Sequence, residues 1–272
     1  MKALLSCVAV VCLATPVRAA PVIPPPTGSP GLDAPLRLRA GNGRLERPTW
    51  TDEGLLPSLD RRFRGLAAIE QPGLPAYDPT TRAFYASANG ALVRLEPDGA
   101  LPVIVASGVQ GIDVDVRPAR QLAVSREPDH RILLTRWRGR EVIAQRTLLR
   151  GARFFRPRLA PDGASLLVSE SRPRGAHLWR LVLNGGAPID LGRADDAAWH
   201  PDGQRVIFTR VRHDGHRVTA ADLWELQISS GRRRRLARTP GRAEVEPAIS
   251  PDGRWVAFVD ATTGDLFAAR LP

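Results

Sequence analysis

Short apolar runs separated by polar turns recur through most of the chain. In the middle copy, Ala197 and Trp199 belong to a short extended segment, and Pro201-Asp202-Gly203 follows as a tight turn. Proline presets its own φ, aspartate hydrogen-bonds the backbone ahead of it, and glycine accepts a positive φ. Val206-Ile207-Phe208-Thr209 then reads as a strand. A polar loop at Arg212–His216 leads to Leu223-Trp224-Glu225-Leu226, a third strand. Ser229-Ser230-Gly231 turns the chain again before Arg235-Leu236-Ala237, a fourth.

The same order occurs at Arg156–Leu181 and, shortened, at Glu246–Leu271. The turn prolines are Pro161, Pro201 and Pro251, spaced 40 and 50 residues apart, and weaker copies carry Pro79 and Pro118. Four short antiparallel strands at a period near 40 residues predict an all-β fold, a β-propeller of four-stranded blades. A β-sandwich does not account for three Pro-Asp-Gly turns each followed by a strand and a leucine–aromatic pair.

Ahead of the repeats, residues 1–19 hold Lys2, an apolar run from Ala3 to Ala14, and the small-residue end Val17-Arg18-Ala19. This predicts a secretory signal peptide cut after Ala19, with an apolar run too short for a permanent span. Residues 20–32 are proline-rich and predict an extended or disordered linker; residues 33–272 are then the propeller domain. Leu36–Arg39, followed by Gly41-Asn42-Gly43, signals a hairpin. A strand near 34–46 is expected to complete the last blade, whose own copy ends after three strands. Pro48–Gly54 resembles a blade turn, but Asp52 lies only 26 residues before Asp78. Six blades are favoured, with five the alternative.

The recurring P-x-x-[SAH]-P-D-G, followed by an apolar strand and a leucine–aromatic strand, resembles the TolB-like β-propeller repeat. The resemblance covers about residues 70–272. In the middle copy Ala197 stands where the first proline would be, and His200 replaces the usual serine as a capped turn residue. The resemblance implies a bacterial envelope protein, with partners among envelope-integrity or transport proteins. The α/β domain that precedes the propeller in TolB has no room here. Some serine peptidases also carry such a propeller, but they need a Gly-x-Ser-x-Gly elbow in a second domain, and this sequence contains none.

The formal charge is +11, and +9 once Lys2 and Arg18 leave with the leader; every remaining basic side chain is arginine. Export argues against nucleic acid as partner, and the tryptophans sit mostly at repeat positions, as core, rather than as the aromatic platforms that nucleic-acid recognition uses. The run Arg232, Arg233, Arg234 and Arg235 is placed on a blade's outer edge, as a contact for anionic polymer or lipid or as a solvated guard of that edge. Both cysteines, Cys7 and Cys12, lie in the leader, so no disulfide, thiolate metal site or redox centre is expected. No cofactor is expected, and no membrane span in the mature chain.

Two places remain for chemistry. His213-Asp214-Gly215-His216 is the closest histidine cluster, read first as a turn and otherwise as ligands for a divalent ion. The second is the mouth of the central channel, where residues entering each first strand gather. Arg153, Arg156, Asp195, Asp196, Glu244 and Glu246 are assigned there, with Arg212, His213 and His216 nearby. The function these features favour is an exported, non-catalytic scaffold for protein interaction in the periplasm or cell envelope. The alternative is a lyase or hydrolase acting on polysaccharide or a small ligand at the channel mouth, with or without a metal.

Overall fold

The computed structural model describes residues 22–24, 31–32, 35–39, 47–56, 75–95, 102–173, 175–213, 218–237, 239 and 241–272. The leader, most of the linker, the turn after Arg39 and the 214–217 loop lie outside these residues. Among the described residues no helix is long and apolar enough to cross a membrane.

Strands β1 (Leu36–Arg39), β2 (Thr49–Thr51) and β3 (Gly54–Leu56) precede the regular repeats. Blade I is β4 (Ala76–Asp78), β5 (Ala83–Ala88), β6 (Ala91–Leu95) and β7 (Val103–Ser107). Blade II is β8 (Asp113–Arg117), β9 (Leu122–Arg126), β10 (Ile132–Arg138) and β11 (Glu141–Leu149). Blade III is β12 (Phe154–Leu159), β13 (Ser165–Glu170), β14 (His177–Val182) and β15 (Ile189–Arg193). Blade IV is β16 (Ala197–Trp199), β17 (Arg205–His213), β18 (Val218–Gln227) and β19 (Arg233–Arg235). Blade V is β20 (Glu244–Ile249), β21 (Trp255–Asp260) and β22 (Leu266–Arg270), with β1 paired to β22 as its fourth strand. All these pairings are antiparallel; β1 places Leu36 opposite Ala268 and Arg37 opposite Phe267.

The repeated turn works as its composition predicts. Gly163, Gly203 and Gly253 take φ of +66°, +67° and +73°. Each donates its amide to the carbonyl of the residue before the proline, Ala160, His200 or Ser250. The turn aspartates accept amides from the next strand: Ala164 on Asp162, Gln204 on Asp202, and Arg254 on Asp252.

Five four-stranded sheets form the ring, so the favoured count of six is corrected to five. Neighbouring sheets meet through apolar clusters. Leu92, Val114 and Trp137 join blades I and II, and Val124, Leu159 and Leu166 join II and III. Leu167, Leu178 and Phe208 join III and IV, and Ile207, Val256 and Phe258 join IV and V. Between V and I, among the described residues, stands the two-stranded sheet β2–β3. Successive strand residues face opposite ways. Leu55 therefore packs with Val245 and Trp255 of blade V, while Leu56 packs with Phe84 and Ala86 of blade I. The Pro48–Gly54 turn builds two strands of three residues each.

Of the described linker residues, Ile23 and Leu32 pack against the propeller. Ile23 exchanges two backbone hydrogen bonds of 2.8 Å with Leu55. Leu32 is buried with Ile207, Phe258 and Leu271.

Candidate binding site at the channel mouth

One position of the repeat supplies most of the site. Five residues before the turn prolines Pro118, Pro161, Pro201 and Pro251 stand Asp113, Arg156, Asp196 and Glu246. The β2–β3 turn has Asp52 in the proline's place, and five residues before it is Arg47. Trp50 and Trp199, two residues before their turns, show that this correspondence is structural. Trp50 Nε1 donates to the Ala248 carbonyl at 3.1 Å, and Trp199 Nε1 to the Arg158 carbonyl at 3.0 Å. Both acceptors lie three residues before the turn of the preceding sheet.

Arg156 and Glu246 are brought inward by the same device. The ladder shifts register between Phe155 and Arg158, and again between Val245 and Ala248. Within these bulges Arg156 and Glu246 adopt φ of +52° and +53°. A side chain in the left-handed region costs about 1–2 kcal/mol, and here both side chains are turned towards the ring's centre. Arg156 forms ion pairs with Asp196 of blade IV and Glu246 of blade V. Blades III and V are not neighbours, so this contact crosses the mouth. Arg47 Nε lies 3.4 Å from the other Glu246 oxygen. On the opposite side, Arg158 Nη1 meets Asp113 Oδ1 at 3.2 Å. Asp115 accepts the Leu159 amide at 2.7 Å and pairs with Arg117 at 3.2 Å.

Arg156, Asp196 and Glu246 are thus brought together, and with Arg47 their charges balance. The other candidates part from them. Asp195 accepts the Val211 amide at 2.9 Å and braces the blade IV hairpin. Glu244 is 1 % exposed and accepts from Thr239 Oγ1 at 2.8 Å and from the Leu223 amide at 3.2 Å. It ties blade V to IV and does not line the mouth. Burial pushes its carboxyl above the usual carboxylate range, against the hydrogen bonds from Thr239 and Leu223. Arg212 and Arg153 are exposed. His213 ends β17, and His216 lies outside the described residues. Among the described residues no group of three or more His, Cys, Asp or Glu is placed to hold a metal ion.

Arg47, Asp113 and Arg158 belong to the site although sequence reasoning did not select them; the five-residue spacing from the turn carries the signal for the first two. His200 is a structural crosslink. Its Nδ1 accepts the Asp202 amide at 3.2 Å, and its Nε2 lies 3.0 Å from the Gly253 carbonyl of blade V. The arginine run lies on the outer edge strand and is largely engaged. Arg233 reaches the Leu191 carbonyl, Arg234 pairs with Glu225 at 3.0 Å, and Arg235 pairs with Asp222. A second polar cluster joins the β2–β3 sheet to blade I, where Asp52 binds both Tyr77 and Arg82. Burial and the Asp52 carboxylate push the Tyr77 hydroxyl up to about 12.

No family model matches the chain. An uncharacterized protein of Agrobacterium fabrum, Atu1656, is 30% identical over 117 residues, which are 42% of this chain and 38% of that protein. The chain therefore matches well under half the length of this relative. Among solved structures, a putative TolB from Agrobacterium tumefaciens superimposes with a TM-score of 0.55 at 16% identity. That match covers 75% of this chain and 91% of the other. A nidogen/laminin complex gives 0.53 at 13% identity, covering 74% and 76%. The tricorn protease gives 0.50 at 11% identity, covering 70% of this chain and 19% of that one. The blades, their turns and these superpositions agree on one architecture: the chain has a TolB-like β-propeller fold.

Proposed function

We propose that the chain is an exported, non-catalytic scaffold that presents propeller surfaces to protein partners in the periplasm or cell envelope. The observation that carries this reading is the ion-pair network Arg47–Glu246–Arg156–Asp196. It spends the mouth's charges on holding the β2–β3 sheet and blades III, IV and V in one frame. A charged ligand entering there has to displace intramolecular partners. Pairing of β1 with β22 serves, in this reading, as the clasp that ends the ring. Similarity to a putative TolB supports a scaffold, although fold alone does not determine function.

The test is a pull-down of the tagged mature chain from the envelope fraction of its own cells, with the cleaved N-terminus sequenced on the same sample. A stoichiometric protein partner, together with a start at Ala20, supports the proposal. A chain that stays cytoplasmic overturns the export half. Recovery without a partner, alongside turnover of an envelope polysaccharide, overturns the scaffold half.

A further inference from the structure

We propose that the rim of blades III and IV, at the mouth end of the propeller, docks an extended acidic polypeptide segment of a partner protein. This deepens the scaffold reading and rests on it.

The rim is built by one irregularity of the repeat. Strands β17 and β18 have nine and ten residues, against five to seven for the second and third strands of the other blades. Their extra length projects beyond the ring. One face of the projection is fixed: Val211 and Ala221 are buried with Ala243 and Val245 of blade V. Strand alternation then turns Arg210 and Arg212 the other way. That is the side of Phe208 and Trp224, which pack with Leu178 and Ala194 at the end of blade III. Arg210 and Arg212 are exposed, and the Arg210 guanidinium lies 5.2 Å over the Trp224 ring. At the same end of blade III, Arg153 is exposed at the entrance to β12 and Arg193 at the end of β15, the latter opposite His177 on the blade's other face.

Among the described residues none of these four guanidinium groups has a carboxylate partner, whereas the acids around them are already engaged. Asp222, opposite Arg210 in the ladder, pairs with Arg235. Asp195 holds the Val211 amide, and Asp196 holds Arg156. Glu170 takes Trp179 Nε1 and Arg172, and Asp190 takes His177 and the Gly192 amide. Among the described residues the rim therefore carries positive charge that meets no carboxylate.

Its geometry favours an acidic chain. Arg210 and Arg212 lie on one strand face about 7 Å apart, the spacing of alternate side chains in an extended partner. Guanidinium forks match carboxylates. Among the described residues the exposed large apolar ones are Leu36, Val103, Ile104, Ile112, Ile143, Val182 and Ile189, none of them aromatic. None is on this rim; Val182 and Ile189 sit at the far end of blade III. The rim thus offers no aromatic platform for nucleic-acid bases and no apolar anchor for a bilayer.

The test uses the mature chain and a fluorescent peptide with alternating Glu and Ala, read by anisotropy. The variant is Arg153→Glu/Arg210→Glu/Arg212→Glu. The control, Arg138→Glu/Arg140→Glu/Arg232→Glu, makes the same charge change at the opposite end, and melting curves show that both are folded. The expected result is at least about tenfold weaker binding for the rim variant. The control stays within about twofold of the parent, and the parent's affinity falls with added salt. Equal losses in both variants would mean attraction by net charge and would overturn the proposal. Tighter rim-dependent binding of heparin or of phosphatidylglycerol vesicles than of the peptide would also overturn it, assigning the surface to polymer or lipid. The peptide needs no native partner, so this result stands apart from the pull-down that tests the scaffold reading.

Discussion

Glu244 shows how a charged residue at a plausible site position is claimed by the fold. Its two oxygens accept from Thr239 and from the Leu223 amide, so the side chain is a strut between blades IV and V. Glu244→Ala strands the Leu223 amide and is expected to cost about 1–3 kcal/mol in urea unfolding. Glu244→Gln keeps an oxygen for that amide and a donor for Thr239, and it should lose much less. The pH dependence follows from the raised carboxyl. The folded state holds the proton more tightly than the unfolded chain, whose reference value is 4.5. Nothing is lost below that value. As pH rises from there through the folded pKa, stability falls. Glu244→Gln should flatten that slope in melting curves taken between about pH 4 and pH 7. The turn glycines offer a second comparison. A Cβ on Gly203 has Pro161 Cδ as its nearest neighbour at 4.0 Å, so Gly203→Ala meets only the backbone penalty of about 1–2 kcal/mol. A Cβ on Gly253 would lie 2.6 Å from His200 Nε2. Gly253→Ala should therefore lower the melting temperature further, and the added loss should shrink in a His200→Ala background.

At the scale of the element, the β2–β3 sheet and the blade IV hairpin are the two departures from the repeat, and each has a physical cause. Among the described residues the β2–β3 sheet has two strands, and it keeps the inner-strand contacts of a blade. Trp50 and Trp199 make the same indole-to-carbonyl bond to the preceding sheet. Trp50→Phe and Trp199→Phe should each cost about 1 kcal/mol, by similar amounts, in denaturant unfolding. A markedly smaller loss at Trp50 would mean that the small sheet is not held as a blade is. The strands themselves were legible from their turns, because a Pro-Asp-Gly turn dictates its own conformation. The length of the blade IV hairpin was not. Its extension is stabilised by Val211 and Ala221 against blade V, and those neighbours are remote in the chain. The small sheet was partly legible, since Pro48–Gly54 resembles a blade turn, but three-residue strands carry too little alternation to read.

For the whole molecule, the charges of the mouth matter most as a tie across the ring. Breaking a fully buried pair costs about 3–5 kcal/mol. Arg156 and its two acids are 21% and 14% exposed, so Arg156→Ala should cost less than that in urea unfolding. The cost should diminish as salt is added. Because Arg156 also carries an unfavourable φ of +52°, Arg156→Gly should be the more stable of the two variants by about 1 kcal/mol. If Arg156→Ala and the parent unfold alike at low salt, the mouth network does not hold the ring, and its charges are free to serve a ligand.

The sequence alone determined the turn, the strand that follows it and the four-stranded unit, because these depend on residues close in the chain. It placed Arg156, Asp196 and Glu246 at the channel mouth, but in one undivided set with Asp195 and Glu244, because sequence reasoning did not weigh their equal offset from the turn. It left the number of blades open: a period near 40 residues suits five or six. Tertiary structure decided that number through two adjacent leucines, Leu55 and Leu56, which serve different blades from one small sheet. It also decided what the mouth charges do. Arg47 and Glu246 meet only once the ring has closed, so their pairing is a property of that closure and not of either segment.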